Sequence, residues 1–344
     1  MFNGKKVLIT GGTGSFGKKF VQIVLANYLP KKLIIFSRDE LKQFEMSQKW
    51  SKKRYPCIEY ILGDVRDKER LTKVFHGVDY VIHAAALKQV PTAESNPSEF
   101  IKTNIMGAMN VIDAAQYNEV EKVVALSTDK ACNPINLYGA TKLCSDKLFV
   151  AVNTYRGLDT TRFSVVRYGN VLGSRGSVVP FFKERAQTGH LPITDPRMTR
   201  FWITLDQAVH FVLKTLELMK GGEIFVPRIP SMKIVDLAKA VAPDCSLEVV
   251  GIRPGEKLHE IMIGEDDARN TVEFKDCYIV QPNSDAGKEL LRNGGGKSCP
   301  EDFSYVSDKN INWITVEELK ALVDTIADDY TIEKSRWSME DVPQ

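Results

Sequence analysis

A tyrosine and a lysine one helical turn apart form the most reactive pair in this chain of 344 residues. Tyr138 and Lys142 are spaced four residues apart, so a helix would present both side chains on one face. A free tyrosine ionises near pH ~10, and a cation one turn away stabilises the phenolate and lowers its pKa. The pair is therefore expected to remove a proton from an alcohol while a hydride leaves the same carbon. The alternative is a solvated helix face, because a helix rich in Tyr and Lys gives the same spacing.

A second acid and base, Asp129 and Lys130, come shortly before this pair. Oxidation of an alcohol alone does not need them, so they predict a further proton transfer. A lysine acts as a base only when it is neutral, so burial or neighbouring cations are expected to depress the pKa of Lys130. The alternative is that Asp129 and Lys130 form a strand-end ion pair with the loop.

A glycine-rich turn follows the first apolar run of the chain. Its glycines are spaced as Gly11-x-x-Gly14-x-x-Gly17, and a helical pattern begins within it. Glycines allow the backbone to turn tightly and approach a pyrophosphate, and the helix N-terminus offers unpaired N–H groups. An ordinary strand-to-helix turn is the alternative. The spacing predicts a dinucleotide site that contains Gly11, Thr13, Gly14, Ser15, Phe16 and Gly17.

The ends of the next predicted strands extend this site. After the second strand, Ser37 and Arg38 precede Asp39, and a guanidinium suits a 2′-phosphate, which favours NADP over NAD. The alternative leaves Arg38 on the surface and lets Asp39 bond the ribose hydroxyls, as in NAD sites. Further along, Asp64 with Val65 is expected to contact the adenine, although Asp64 or Asp67 could instead cap a helix. The small residues Ala84, Ala85 and Ala86 would let a cofactor lie against the backbone.

Short apolar runs alternate with longer amphipathic segments over the first half of the chain. This alternation is typical of an α/β fold, here a Rossmann-type doubly wound parallel sheet with a smaller α/β C-terminal substrate domain. The predicted strands are 6–10, 32–36, 58–62, 80–83, 122–126 and 163–167. The first domain is predicted at 1–170, with a helix at 204–220 returning to it, and the second at 171–203 and 221–344.

Composition excludes several classes of protein. The chain has 46 Lys and Arg residues and 44 Asp and Glu residues, a net charge of +2. This near balance does not indicate a surface that binds nucleic acid. No run of 18 apolar residues and no signal peptide are evident, so we expect a cytoplasmic protein without a membrane span. The six cysteines show no C-x-x-C spacing, which predicts reduced thiols and no metal site.

These motifs together resemble the extended short-chain dehydrogenase/reductase family over nearly the whole chain. Within that family they are most similar to the inverting UDP-N-acetylglucosamine 4,6-dehydratases, which begin pseudaminic acid biosynthesis for flagellin or surface glycosylation in bacteria. Capsule-pathway relatives often lack the tyrosine, and this chain keeps Tyr138. The resemblance implies NADP as cofactor, with Lys42 among its contacts, and UDP-N-acetylglucosamine as substrate. The matching segments are 10–17, 37–42, 83–88, 127–131, 134–142 and 167–171.

The resemblance also implies a division of labour among the catalytic candidates. Tyr138 would take the proton of the C4 hydroxyl, Thr128 would hydrogen-bond the same hydroxyl, and Lys142 would hold Tyr138 ionised and bond the nicotinamide ribose. The ketone formed at C4 acidifies the C5 proton. Lys130 would then be the base at C5, and protonated Asp129 the acid at O6, so that water is eliminated.

A separate set of residues is expected to hold the nucleotide sugar. Asn170 resembles a family residue that contacts the diphosphate, Arg253 would pair with the diphosphate bidentately, and Glu256 would accept from the ribose. The full predicted set is Lys88, Asn170, Arg175, Ser177, Val178, Thr194, Arg200, Arg253 and Glu256.

Two other functions use the same fold. A UDP-N-acetylhexosamine 4-epimerase needs Tyr138 and Lys142 but not Asp129 and Lys130, so that second pair discriminates against it. A non-catalytic NADP-sensing regulator typically loses the tyrosine. The resemblance further implies a homo-oligomer, either a dimer formed by the helices that carry Tyr138 and Lys142 or a hexamer.

Overall fold

The computed structural model describes residues 1–154, 161–173, 178–282 and 295–331, with the backbone alone from 326 onward. The strands are β1 Lys6–Thr10, β2 Lys32–Ser37, β3 Ile58–Leu62, β4 Tyr80–His83, β5 Lys122–Leu126, β6 Arg162–Val166, β7 Asn170–Val171, β8 His190–Ile193, β9 Thr199–Ile203, β10 Ile224–Pro227, β11 Ser231–Lys233, β12 Ser246–Val249, β13 Ile261–Ile263, β14 Thr271–Glu273, β15 Cys277–Val280, β16 Lys297–Ser298 and β17 Tyr305–Val306.

The helices lie between these strands. They are α1 Ser15–Asn27, α2 Glu40–Lys49, α3 Lys68–Val74, α4 Val90–Ser95, α5 Pro97–Phe100, α6 Gly107–Tyr117, α7 Leu137–Ala151, α8 Val178–Arg185, α9 Leu205–Leu218, α10 Ile234–Val241, α11 Glu265–Ala268 and α12 Val316–Thr331. A π-helical turn, Ile101–Met106, leads into α6, and a 3₁₀ turn, Asp129–Ala131, follows β5. No helix among the described residues is both long and apolar enough to cross a bilayer.

A ten-stranded sheet forms the main layer, in the order β16-β14-β15-β10-β6-β5-β4-β1-β2-β3. Strands β3 to β10 along this order pair in parallel, and β15, β14 and β16 extend the sheet in antiparallel fashion. The apolar runs of β1 and β4 are buried along nearly their whole length, as expected of strands covered by helices on both faces. The predicted α/β class with a large parallel sheet is confirmed.

The sheet takes in more of the chain than the sequence indicates. Strands β10, β14, β15 and β16 fall within 221–344, the segment predicted to belong to the second domain, and they hydrogen-bond into the main sheet. The division into domains at these boundaries stays a prediction.

A second apolar cluster lies apart from the main core. It joins α8, α10 and α12 to strands β8, β9 and β11 through buried side chains that include Phe182, Leu191, Met232, Leu237 and Leu319. Helix α9, predicted to return to the main sheet, packs against α1 and begins with a capping box between Thr204 and Gln207.

Two elements fix the position of the tyrosine and lysine. Helix α7 starts at an N-cap, Asn136, whose side chain accepts from the Gly139 N–H at 2.7 Å. Gly139 is packed so closely against the turn 129–131 that a Cβ at this position would overlap the carbonyl oxygen of Lys130. Helix α7 therefore meets the turn that carries the second acid and base.

Candidate active site

A cavity of about 720 Å³ opens where β1, β2, β4, β5 and β6 end. Ligands of open α/β sheets bind in a crevice at the carboxyl ends of the strands. All the predicted cofactor residues line this cavity, namely Gly11, Thr13, Gly14, Ser15, Phe16, Gly17, Ser37, Arg38, Lys42, Asp64, Val65, Ala84, Ala85, Ala86 and Lys142. The structure thus brings together residues that end or follow β1, β2, β3 and β4, and one residue of α7.

The glycine loop leaves room for a ligand at the start of α1. Gly11 has φ +64°, and a Cβ there would approach the backbone of Ala85 to 2.9 Å. A Cβ at Gly17 would overlap the backbone of Gly12. The helix begins after Gly14, which has no side chain to cap the first N–H groups. Exposed helix N–H groups beside a bare backbone fit a pyrophosphate.

The geometry at the end of β2 distinguishes between the two interpretations of Arg38 and Asp39 as cofactor contacts. The Asp39 carboxylate is the N-cap of α2, where it accepts from the Lys42 N–H at 3.0 Å and pairs with the Lys42 ammonium. The Arg38 side chain is 53% exposed at the cavity, and its nearest carboxylate oxygen, on Asp64, is 3.8 Å away. Asp64 itself pairs with Arg66 at 2.7 Å. Arg38 is therefore the more available of the two predicted ribose contacts.

Asp129 is a fully buried carboxylate at the end of β5. Its Oδ1 accepts from the Thr128 hydroxyl at 2.9 Å and from the Lys130 ammonium at 3.1 Å. Its Oδ2 has no hydrogen-bond partner within the described part of the chain. Burial and the nearby carboxylate of Glu260 raise the pKa of Asp129, against the opposing effect of Lys130. This environment suits a carboxyl group that carries a proton.

Lys130 is held between two carboxylates. Its Nζ lies 3.1 Å from Asp129 Oδ1 and 3.1 Å from Glu260 Oε1. Burial alone would lower the pKa of Lys130, but the two carboxylates outweigh it and raise the pKa above the usual range. The expectation of a depressed pKa is wrong for this structure. The neighbouring cation that opposes the carboxylates, Arg200, is too weak an influence to reverse them.

Tyr138 also departs from its expected ionisation. Burial raises the pKa of Tyr138 to about 12, and the main opposing influences are the charge of Lys130 and a hydrogen bond with Thr128. The Lys142 ammonium donates to the Leu126 carbonyl at 2.8 Å, and burial lowers its pKa. A lowered tyrosine pKa caused by Lys142 is therefore not what this structure shows. Tyr138, Thr128, Asp129, Lys130 and Lys142 nevertheless all line the one cavity.

The predicted substrate residues divide into three groups. Lys88, Asn170 and Val178 line the cavity, and the buried Oδ1 of Asn170 has no partner among the residues described. Arg175 and Ser177 lie outside the described residues. Thr194, Arg200, Arg253 and Glu256 do not line it.

Arg200 is engaged inside the protein. Its guanidinium donates to the carbonyl oxygens of Thr199 at 2.7 Å, Leu258 at 3.1 Å and Lys257 at 3.0 Å. Its Nε lies 3.7 Å from Glu260 Oε1. The prediction that Arg200 binds the nucleotide sugar therefore finds no support in this geometry. Arg253, by contrast, is exposed.

Some residues of the site were missed from the sequence. Glu260 follows the segment 253–257 by three residues, but nothing in its local pattern points to Lys130. Thr103 and Trp202 line the cavity with buried polar atoms that have no partner in the described ranges. Ser127 also lines the cavity with a buried hydroxyl that has no partner among the residues described, and its position next to Thr128 could have identified it from the sequence. Within residues 1–154, 161–173, 178–282 and 295–325, no group of His, Cys, Asp or Glu side chains converges as metal ligands would.

Comparison with known protein families gives a match that covers most of the chain. A family model described as polysaccharide biosynthesis protein matches residues 7–282, which include every strand that ends at the cavity. The chain belongs to this family.

Relatives within the family carry more than one name. A protein named UDP-N-acetylglucosamine 4,6-dehydratase (inverting), from Campylobacter jejuni subsp. jejuni serotype O:23/36, is 59% identical over 94% of this chain and 98% of its own length. A UDP-glucose 4-epimerase from Rickettsia canadensis is 39% identical over 95% of this chain and 97% of its own. The resemblance to inverting dehydratases of the extended short-chain dehydrogenase/reductase family is confirmed.

Solved structures agree with the fold. The X-ray structure of Pen from Bacillus thuringiensis superposes with a TM-score of 0.86 at 36% identity, covering 94% of this chain and 98% of that one. DesIV, a dTDP-glucose 4,6-dehydratase from Streptomyces venezuelae, superposes with a TM-score of 0.69 at 20% identity, covering 95% of this chain and 98% of that one. The second likeness concerns the fold alone.

Proposed function

We propose that this chain is a UDP-N-acetylglucosamine 4,6-dehydratase that inverts C5. The product is UDP-2-acetamido-2,6-dideoxy-beta-L-arabino-hex-4-ulose, formed by oxidation at C4, elimination of water across C5 and C6, and reduction at C6. The enzyme class, a nucleotide-sugar hydro-lyase, is that of the two Campylobacter relatives, and the prediction of this class is confirmed. The observation that carries the finer proposal is the hydrogen-bonded Asp129–Lys130 pair, with its carboxylate fully buried, in one cavity with Tyr138.

The cofactor proposed for the cavity is a nicotinamide dinucleotide, and more narrowly NADP. The glycine loop, the three alanines after β4 and the buried Lys142 would hold it, because they combine bare backbone, helix N–H groups and one ammonium. When bound, the nicotinamide supplies the hydride acceptor and donor. The half-exposed Arg38 supports NADP, because Asp39 is engaged with Lys42.

Proton removal at C4 is assigned to Tyr138. A phenol with a pKa near 12 carries its proton at neutral pH, so Tyr138 must release that proton to solvent before the phenolate can take the proton of the C4 hydroxyl. The hydrogen bond with Thr128 and the positive charge of Lys130 both favour the phenolate. Thr128 also bonds Asp129, so one hydroxyl links the groups that act at C4 and C6.

The elimination is assigned to Asp129 and Lys130 acting together. A proton that moves across their 3.1 Å hydrogen bond turns the ion pair into a neutral amine and a carboxylic acid, with no change in net charge. Burial works toward that neutral arrangement, since charges are costly away from water, whereas the carboxylate of Glu260 stabilises the ammonium and works against the neutral amine. The amine then takes the C5 proton, and the acid gives its proton to O6 as the C6–O bond breaks.

The substrate proposal is UDP-N-acetylglucosamine. Asn170, Lys88 and Val178 are assigned to it because they line the same cavity, and Asn170 has an unused buried oxygen among the described residues. The biological role proposed is the first step of pseudaminic acid biosynthesis for flagellin or surface glycosylation, and the assembly proposed is a homo-oligomer. The names of the Campylobacter relatives support the substrate and reaction.

One experiment tests the reaction directly. The protein is incubated with UDP-N-acetylglucosamine and NADP in D₂O, and the product is analysed by mass spectrometry and proton NMR. The proposal expects loss of one water, a C6 methyl group and deuterium at C5. Lys130→Ala should abolish deuterium incorporation at C5, and Asp129→Asn should lower both C5 exchange and the loss of water, because an amide cannot take the proton of Lys130.

A second candidate function is a 4-epimerase, favoured by the Rickettsia relatives at 39% identity. An isomer of unchanged mass would establish it and remove the dehydratase proposal. Deuterium at C5 that is unaffected by Lys130→Ala would remove the role assigned to Lys130.

A further inference from the structure

Glu260 is a buried carboxylate that reaches Lys130 from a distant part of the chain. Its side chain is 2% exposed, and its Oε1 lies 3.1 Å from the Lys130 Nζ. Ser307 fixes its backbone on both sides, because the Glu260 N–H donates to the Ser307 hydroxyl at 2.9 Å and the Ser307 N–H donates to the Glu260 carbonyl at 2.9 Å. The carboxylate therefore approaches Lys130 from a backbone that is already held in place.

The charges around this contact come from several elements. Arg200 on β9 lies 3.7 Å from Glu260 Oε1, and Asp129 lies 3.1 Å from Lys130 on the other contact. Lys257 also interacts electrostatically with Glu260, and Tyr138 and Lys88 interact electrostatically with Lys130. Burial opposes ionisation of Glu260, but Lys130, Arg200 and Lys257 outweigh it and lower its pKa. Glu260 is thus ionised, and its Oε2 has no partner among the residues described.

We propose that Glu260 is the positioning residue of the C5 base: it holds the Lys130 nitrogen in the cavity and is the counter-ion of the ammonium formed when Lys130 takes the C5 proton. In that step the C5–H bond breaks, the N–H bond forms, and the electron pair left on C5 becomes the C5–C6 double bond as O6 departs with a proton from Asp129. A base oriented by a third group is a recurring arrangement in catalysis. This proposal rests on the proposed function.

Glu260 acts on the acid as well as on the base. Its negative charge disfavours a second carboxylate nearby, so after burial it is the main reason that Asp129 binds a proton more readily than usual. One buried carboxylate would therefore act at two points: it favours the protonated acid before elimination, and it favours the ammonium formed when Lys130 takes the C5 proton. A purely structural ion pair would have neither effect on the rate.

The test compares Glu260→Gln with wild-type protein and with Glu260→Asp. Glu223→Gln is the matched control, because Glu223 is equally buried and accepts from the Ser164 hydroxyl and two backbone N–H groups far from the cavity. The reactivity of Lys130 is measured across pH by trace labelling with acetic anhydride, read out on the peptide that carries Lys130. This measurement needs no substrate turnover, and the Lys130 side chain is 25% exposed.

Glu260→Gln is expected to lower the pKa of Lys130, which raises its labelling near pH 9 by about tenfold for each pKa unit. It should also lower kcat by about 10²-fold with little change in KM, because the misplaced amine fails in the transition state and not in binding. Glu260→Asp should recover part of the rate, and Glu223→Gln should match the wild type in both measurements.

An unchanged labelling profile of Lys130 in Glu260→Gln would overturn the proposal, as would an unchanged kcat. Failure of the proposed function has a different signature, since no 4-keto-6-deoxy product would form with any of the proteins. In that case the labelling profile still decides whether Glu260 controls the charge of Lys130.

Discussion

The charge state of Lys130 is decided by residues that reach it from two places in the chain. Asp129 is its neighbour in sequence, and Glu260 comes 130 positions later, yet both carboxylates lie 3.1 Å from the same nitrogen. Two anions around one ammonium give the group a net negative charge, which Arg200 partly offsets at 3.7 Å. A base that begins as an ammonium must pass its proton on. Of the two carboxylates at 3.1 Å, Asp129 is the better acceptor, because its pKa is raised by burial and by Glu260 whereas the pKa of Glu260 is lowered. The acid and the base therefore depend on the position of one proton: when it lies on Asp129, the carboxylic acid and the neutral amine are present together.

The choice between NADP and NAD depends on Arg38. Arg38→Ala should weaken NADP binding by about 10- to 100-fold, because a charge-assisted bond to a phosphate contributes roughly 1.5–3 kcal/mol. NAD binding should change by less than about threefold, since NAD carries no 2′-phosphate. Dissociation constants for both cofactors, measured by fluorescence or calorimetry, check this. Arg66→Ala is the control, because Arg66 pairs with Asp64 and Glu99 and does not line the cavity. Equal losses for the two cofactors in Arg38→Ala would contradict the assignment.

The pH dependence of stability carries a contribution from His83, at the end of β4. Burial, and after it the charge of Lys142, lower the pKa of His83 to about 3 from its usual 6.5. Between these values the unfolded chain binds a proton that the folded protein does not, so stability falls as pH drops below about 6.5. The expected loss between pH 7.5 and pH 5 is about 2 kcal/mol.

Urea unfolding at these two pH values, on wild type and His83→Asn, measures this contribution. Asparagine can keep the contact with Thr10 Oγ1, which lies 2.8 Å from the histidine Nδ1, but it does not titrate. The variant should lose about 2 kcal/mol less than wild type over the interval. Identical losses in the two proteins would show that His83 does not supply this part of the pH dependence.

At the scale of elements, helix α7 is set against the turn 129–131 by the absence of a side chain at Gly139. A Cβ there would overlap the Lys130 carbonyl oxygen, so Gly139→Ala must move the helix away from the turn. Because Tyr138 and Lys142 lie on this helix, kcat should fall by about 10²-fold. Steady-state kinetics test this, with Gly264→Ala as control, since a Cβ there meets only ordinary contacts at 3.6 Å. Wild-type kcat in Gly139→Ala would show that the close packing is not needed for catalysis.

Sequence patterns predicted the elements of the main sheet better than its extent. The strands that became β1 to β6 were visible because each is a short apolar run, and all of them except the edge strand β3 are largely buried. Helix α9 was visible from its amphipathic pattern. The additions at the β10 edge were not foreseen, because pairing partners are set by tertiary contacts that a single strand does not encode. The pKa of Lys130 was predicted in the wrong direction for the same reason, since Glu260 is remote in sequence.

At the scale of the whole molecule, the contact between Lys130 and Glu260 connects the main sheet to a later part of the chain. That part follows the first segments of the second apolar cluster. Lys130 follows β5, in the middle of the ten-stranded sheet, and Glu260 precedes β13, which pairs with β17 outside that sheet. Cofactor residues come from the first part of the chain, and the counter-ion of the base comes from the later part. The proposed reaction therefore requires both parts to be folded together.

Assembly is the remaining property at this scale, and exposed apolar side chains indicate where copies would meet. Ile101, Met106 and Met109 are 42%, 52% and 47% exposed along the π-helical turn and α6, which packs against α7. Apolar side chains clustered on a surface mark association sites. We expect wild-type protein to sediment at no less than about twice the chain mass of 38.6 kDa. Met109→Glu should shift it toward 38.6 kDa, because a carboxylate buried in an interface without a partner is costly.

Leu41→Glu is the control for this prediction, since Leu41 is 66% exposed on α2, away from α6 and α7. It adds the same charge at an exposed apolar position and should leave the sedimentation unchanged. Sedimentation velocity at several concentrations gives the comparison. If Met109→Glu sediments as the wild type does, the interface lies elsewhere on the surface, and the α6–α7 face is not what holds the copies together.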